Sequence, residues 1–99
     1  MKIIVFEKTG RFAENKDAAR DMRINDIFPS LKNGEEVILD FINVSSATQS
    51  FIHALISDAI REFGSDVLDK IIFKHCNASI KELIKTVAIY VQAGLGNDN

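Results

Sequence analysis

The stretch Glu36 to Ile56, EVILDFINVSSATQSFIHALI, constrains the fold of this 99-residue chain more than any other. Val37-Ile38-Leu39 is a short apolar run entered from the turn signal Lys32-Asn33-Gly34, the pattern of a strand buried on both faces. A polar loop follows, and the periodicity then changes. Phe51, Ile52, Leu55, Ile56, Ala59, Ile60 and Phe63 share one half of a helical wheel at about 100° per residue. His53, Ser57, Asp58 and Arg61 take the other half. Thr48 is the expected N-cap, its hydroxyl accepting from a free N–H of the first turn, and Gly64 the expected stop.

The remaining segments repeat that alternation. Ile3 to Phe6 reads as the first strand, Thr9-Gly10-Arg11 as a turn, and the interval Lys8 to Ala13 has room for an extra antiparallel strand. Asn15 caps a helix expected over Lys16 to Leu31, with Asp17 favourably placed in its first turn. Its apolar residues divide: Ala18, Ala19 and Met22 face one way, Ile24, Ile27, Phe28 and Leu31 nearly the opposite way. Pro29 has no N–H to offer the preceding turn. The helix should therefore bend or break between Arg23 and Pro29. Ser65 to Asp69 is a connection whose Val67 and Leu68 cover the edge of the core, and Lys70 to Lys74 is the third strand. A third helix is expected from Asn77 or Ser79 to Ala93, Ser79 and Glu82 having the spacing of a capping box. Its stripe is Ile80, Leu83, Ile84, Val87, Ala88 and Val91.

The order β-α-β-α-β-α predicts an α/β fold: a mostly parallel sheet of three to four strands with helices packed on it. One domain over residues 1–93 and a flexible tail over 94–99 complete the organisation. Ile4, Phe6, Ile38, Leu39, Phe51, Leu55, Ile72, Ile84 and Val87 form the expected core.

The formal net charge of −2 is spread without a basic run, which argues against a nucleic-acid partner. Met1 to Phe6 is too short for a signal peptide or a membrane span, and a cytoplasmic, non-membrane protein is expected. The single cysteine, Cys76, excludes an internal disulfide and reads as a small buried apolar residue. No catalytic constellation stands out. His75 and Cys76 are adjacent, so on a strand they point to opposite faces. With His53 the only other histidine, no zinc-ligand spacing is apparent, and the glycines match no phosphate-binding fingerprint. Neither a metal nor a cofactor is expected. Asp40 stands at the C-terminal end of its strand, where open parallel sheets build sites; it is placed either for such a role or to accept N–H bonds from the next loop. Ser45, Ser46, Thr48 and Ser50 surround a helix N-terminus, which they cap or use to hold an anion.

Val37-Ile38-Leu39-Asp40-Phe41, Asn43-Val44, Thr48-Gln49-Ser50-Phe51 and Leu55, with Glu14-Asn15-Lys16, Ala19-Arg20, Pro29-Ser30-Leu31 and Gly34-Glu35 upstream, resemble the STAS-like family of uncharacterised bacterial proteins. The likeness runs from about Gly10 to Leu83. Through that family the chain is similar to STAS domains such as anti-sigma-factor antagonists. These are small α/β modules that bind a kinase-type anti-sigma factor and are switched by phosphorylation. The resemblance implies a small STAS-like sandwich and a non-enzymatic regulatory module. Its partner would be a protein, a histidine-kinase-like ATPase or anti-sigma factor. Docking would use Asp40, Val44, Ser45, Ser46, Thr48, Gln49, Ser50 and His53. A small-ligand, nucleotide or anion site at the same helix start is the alternative. The Asp-Ser-Ser-Gly phrase of those anti-sigma-factor antagonists falls on Thr48-Gln49-Ser50-Phe51, so the resemblance puts Gln49 at the usual phosphoacceptor and leaves Ser50 as the neighbouring hydroxyl for phosphorylation.

Overall fold

The computed structural model describes residues 1–96, with side chains through Ala93. Three β-branched runs become the strands β1 (Lys2–Ile4), β3 (Val37–Asp40) and β5 (Ile71–Lys74), all parallel, in the order β1-β3-β5. The register sets Lys2 beside Ile38 and Ile38 beside Ile72; two residues on, Ile4, Asp40 and Lys74 form the next row. Each parallel step is bridged by helices: α2 (Lys16–Met22) and α3 (Phe28–Lys32) between β1 and β3, α4 (Gln49–Phe63) between β3 and β5. The last helix, α5 (Ala78–Gly96), packs against α4, as does α2.

The core lies between that helical layer and one face of the sheet. Ile3, Val37, Leu39 and Ile71 are buried, whereas Ile4, Ile38 and Ile72, which alternate to the other face, are only half-buried. The expectation of a strand buried on both faces is corrected accordingly: the outer face of the sheet is only half-covered. Phe6 is likewise half-buried. The helix stripes hold as expected: Phe51, Ile52, Leu55, Ile56, Ala59 and Ile60 are buried in α4, and Ile80, Ile84, Val87 and Val91 in α5. Ser57, placed on the polar half by the wheel, is buried as well.

Between α2 and α3 the backbone widens into a π-helical segment, Arg23–Ile27. The Phe28 N–H donates to the Arg23 carbonyl five residues back, just before Pro29, which has no N–H to give. The expected bend or break is met only in its place: the regular α-helical bonding is interrupted there, but the helical run continues to Lys32. The widening turns the second half of the helix so that Ile27 and Leu31 enter the core, while Ile24 is left 47% exposed.

Other boundaries differ from the sequence expectation. The first strand ends at Ile4, because Val5–Thr9 winds into a short helix, α1, closed by the Gly10 N–H on the Phe6 carbonyl. No antiparallel strand forms between Lys8 and Ala13; instead β2 (Phe12–Ala13) pairs in parallel with β4 (Ser46–Ala47) in a small second sheet. Ser65–Asp69 is a 3₁₀ turn with Val67 buried over the core edge. Asn77, not Ser79, caps α5, its Oδ1 accepting from the Ile80 N–H at 2.9 Å. The helix extends past Ala93 to Gly96; the rest of the tail, residues 97–99, lies outside the described residues. No described helix is long and apolar enough to cross a membrane.

Candidate functional site

The site grows from the C-terminal ends of β3 and β5, where the sheet delivers two chains side by side. Asp40 closes β3 and is buried. Its Oδ1 accepts the Ile42 N–H at 2.9 Å, folding the next loop back over the strand end. The same oxygen lies 2.9 Å from Nδ1 of His75, just beyond β5, and Oδ2 is 3.7 Å from the Lys2 ammonium. The His75 hydrogen bond, then that from Ile42, holds the Asp40 carboxyl below its usual range, against the opposing pull of burial. An ionised carboxylate only accepts, so Nδ1 of His75 carries a proton and its donor is fixed. The imidazole is 57% exposed and turns Nε2 away from Asp40.

Two non-glycine residues have left-handed backbones, Asn43 at φ 68° and His75 at φ 57°, one beyond each strand end. Such conformations cost on the order of 1–3 kcal/mol and persist where the surroundings enforce them. Here the Asp40 carboxylate fixes both neighbours, the loop through Ile42 and the turn through His75.

The loop between β3 and α4 is stitched down on two sides. Ser45 and Ser46 donate their N–H groups to the Arg11 carbonyl at 2.7 and 3.3 Å, and Thr48 donates to Ala13 at 3.0 Å. From the other side Asn77 Nδ2 donates to the Ser45 carbonyl at 2.9 Å. Thr48 then caps α4 as expected, accepting the Phe51 N–H at 3.1 Å. Ser45, Ser46, Thr48, Gln49 and Ser50 are all exposed on this fixed backbone. Val44 is buried and anchors the loop from beneath.

Five of the anticipated residues divide between two shallow grooves, while Ser46 and Thr48 line neither. Gln49, Ser50, His53 and Ala54 of α4 line one with Lys16 of α2. Val44 and Ser45 line another with Phe6, Arg11, Asn43 and Asn77. Asp40 joins neither rim and works from below, as the anchoring reading expected. His75, Asn77, Arg11 and Phe12 were not anticipated. Phe12 is 55% exposed beside Ser46, with the Arg11 guanidinium 5.8 Å from its ring. Cys76 is half-buried, and burial pushes its thiol up despite Lys81 nearby. Among the described residues no group of three or more His, Cys, Asp or Glu side chains gathers as a metal site.

A family described as a STAS-like domain of unknown function (DUF4325) matches residues 24–81. That span holds Asp40, the loop, α4, His75 and Asn77, and leaves β1 and β2 outside. No curated protein and no solved structure matches the chain.

Proposed function

Since this chain belongs to the STAS-like family of unknown function, we propose that it is a non-enzymatic regulatory module that docks a protein partner through the loop after β3 and the start of α4. The observation that carries this reading is the fixed loop. Ser45, Ser46, Gln49 and Ser50 are exposed on a backbone held by Arg11, Ala13 and Asn77. Beside them Phe12 is 55% and Ile42 43% exposed. An aromatic anchor next to a polar rim is how binding surfaces are commonly composed, and a backbone ordered beforehand lowers the entropic cost of docking. The STAS-like relationship favours a histidine-kinase-like ATPase or anti-sigma factor as the partner class, in a cytoplasmic setting.

The groove of Lys16, Gln49, Ser50 and His53 supports a second reading, a small anionic or nucleotide ligand held near the α4 N-terminus. Capture from a native lysate, run in parallel with the wild type, Phe12→Ala and Gln49→Ala, separates the two. Docking predicts a protein retained by the wild type and lost from both variants, each still folded. If every captured protein is indifferent to the variants while a nucleotide raises the melting temperature, the ligand reading replaces docking.

A further inference from the structure

We propose that His75 is a phosphoryl-accepting residue, taking the group on Nε2 from an acyl phosphate, with Asp40 as the residue that positions it. Three independent features converge there. The buried Asp40 carboxylate lies 2.9 Å from Nδ1, which fixes the tautomer and leaves Nε2 as the nucleophilic nitrogen of the neutral ring. The ring is 57% exposed, and Nε2 bonds no described protein group. A cation is close by, the Lys2 ammonium at 3.7 Å from the Asp40 carboxylate that holds the ring.

The step balances without a metal or a redox partner. The Nε2 lone pair forms a bond to phosphorus as the bond from phosphorus to the acyl oxygen breaks, and the carboxylate leaves with that electron pair. The ring gains positive charge, which the Asp40 carboxylate meets through the retained Nδ1–H. No hydroxyl or thiol among the described residues hydrogen-bonds His75, which leaves Nε2 free to react on its own account. The product places negative charge beside the loop that Asn77 ties to α5. Its use as a switch rests on the docking reading; the acceptor itself does not.

The purified protein is incubated with acetyl phosphate, and intact mass, peptide mapping and phosphorus NMR follow the product. His75 should be labelled in preference to His53, as the Nε2 isomer. Asp40→Asn should slow labelling roughly ten- to a hundred-fold, the size of the loss when a carboxylate orienting a metal-bound histidine is removed, with Asp40→Glu restoring part of the rate. Labelling of both histidines at equal rates, or of Nδ1, overturns the proposal. The isomer and the preference are both measured on the wild type, so they decide the matter even where Asp40→Asn fails to fold. Loss of partner docking with intact His75 labelling would sink the docking reading alone; unlabelled His75 with intact docking would sink this one alone.

Discussion

Met22 and Ile27 lie five residues apart in one continuous helical run, and both are buried in the same core. A regular α-helix brings positions three and four apart onto one face; a spacing of five needs the π widening over Arg23–Ile27. The segment also aims Arg23, whose guanidinium donates to the Ala54 carbonyl at 2.7 Å and pairs with Asp58 at 3.3 Å. The widened turn thereby locks α2 and α3 onto α4.

If the widening is a one-residue insertion, deleting the exposed Ile24 should be tolerated. The Phe28 N–H would then meet the Arg23 carbonyl four residues back, as in an ordinary helix, and Met22 and Ile27 would keep their face. The melting temperature is expected to stay within a few degrees of the wild type. Deleting His53 from the regular helix α4 should unfold the protein, because it rotates one half of a buried stripe by about 100°. Calorimetry on both deletions checks this; a collapse on loss of Ile24 counts against it.

Leu55 is fully buried beneath α4. Leu55→Ala is expected to cost about 2–5 kcal/mol, the range for truncating a large core side chain. Thr48→Ala removes only the cap on the Phe51 N–H and should cost about 1 kcal/mol. Urea unfolding measures both, and a smaller loss for Leu55→Ala than for Thr48→Ala would contradict this placement of α4.

These elements were legible because their signals are local. The α4 stripe, the Asn15 and Thr48 caps and the Pro29 interruption each depend on residues within a turn or two of one another. The β2–β4 pair was not, since Phe12–Ala13 and Ser46–Ala47 are strands only through each other. Face assignment failed in the sheet for a related reason. Val37-Ile38-Leu39 is uniformly apolar, so nothing in it says that only one face carries helices. The Asp40–His75 contact needed the strand order β1-β3-β5 and the left-handed turn at His75. One signal was available: Asp40 directly follows Val37-Ile38-Leu39, His75 follows Ile71-Ile72-Phe73 after Lys74, and neighbouring parallel strands bring such ends together.

Acid should expose Asp40. Its carboxyl is held below the ordinary 3.8, first by the His75 hydrogen bond and then by the Ile42 N–H. A depressed folded value means that the ionised group stabilises the fold above that ordinary value, and that the contribution is lost as pH falls through the lower, folded one. Asp40→Asn should therefore lower the urea midpoint near neutrality and flatten its decline over the acid range below 3.8. An acid limb as steep in the variant as in the wild type would show that Asp40 does not carry it.

The surface of the loop carries the last prediction. In the resemblance to anti-sigma-factor antagonists, Gln49 falls on their usual phosphoacceptor and cannot be phosphorylated, while Ser50 lies one residue on, turned by about 100° around α4. Both are exposed in the first turn and line one groove with Lys16. A phosphate on Ser50 would add about −1.5 to −2 charges near a helix N-terminus, so the chemistry is open to a displaced switch. On the docking reading, the exposed Gln49 is instead the residue that meets the partner. Partner binding is therefore expected without phosphorylation of this helix start. Gln49→Ala should weaken it roughly ten-fold, about 1.4 kcal/mol, with the melting temperature unchanged, and Ser50→Ala should leave it within about two-fold, as for residues bordering a hot spot. Titration calorimetry with the captured partner reads both. Were only Ser50→Ala or Ser50→Asp to alter binding, the switch would be a displaced serine phosphorylation, and Gln49 would be a bystander to docking.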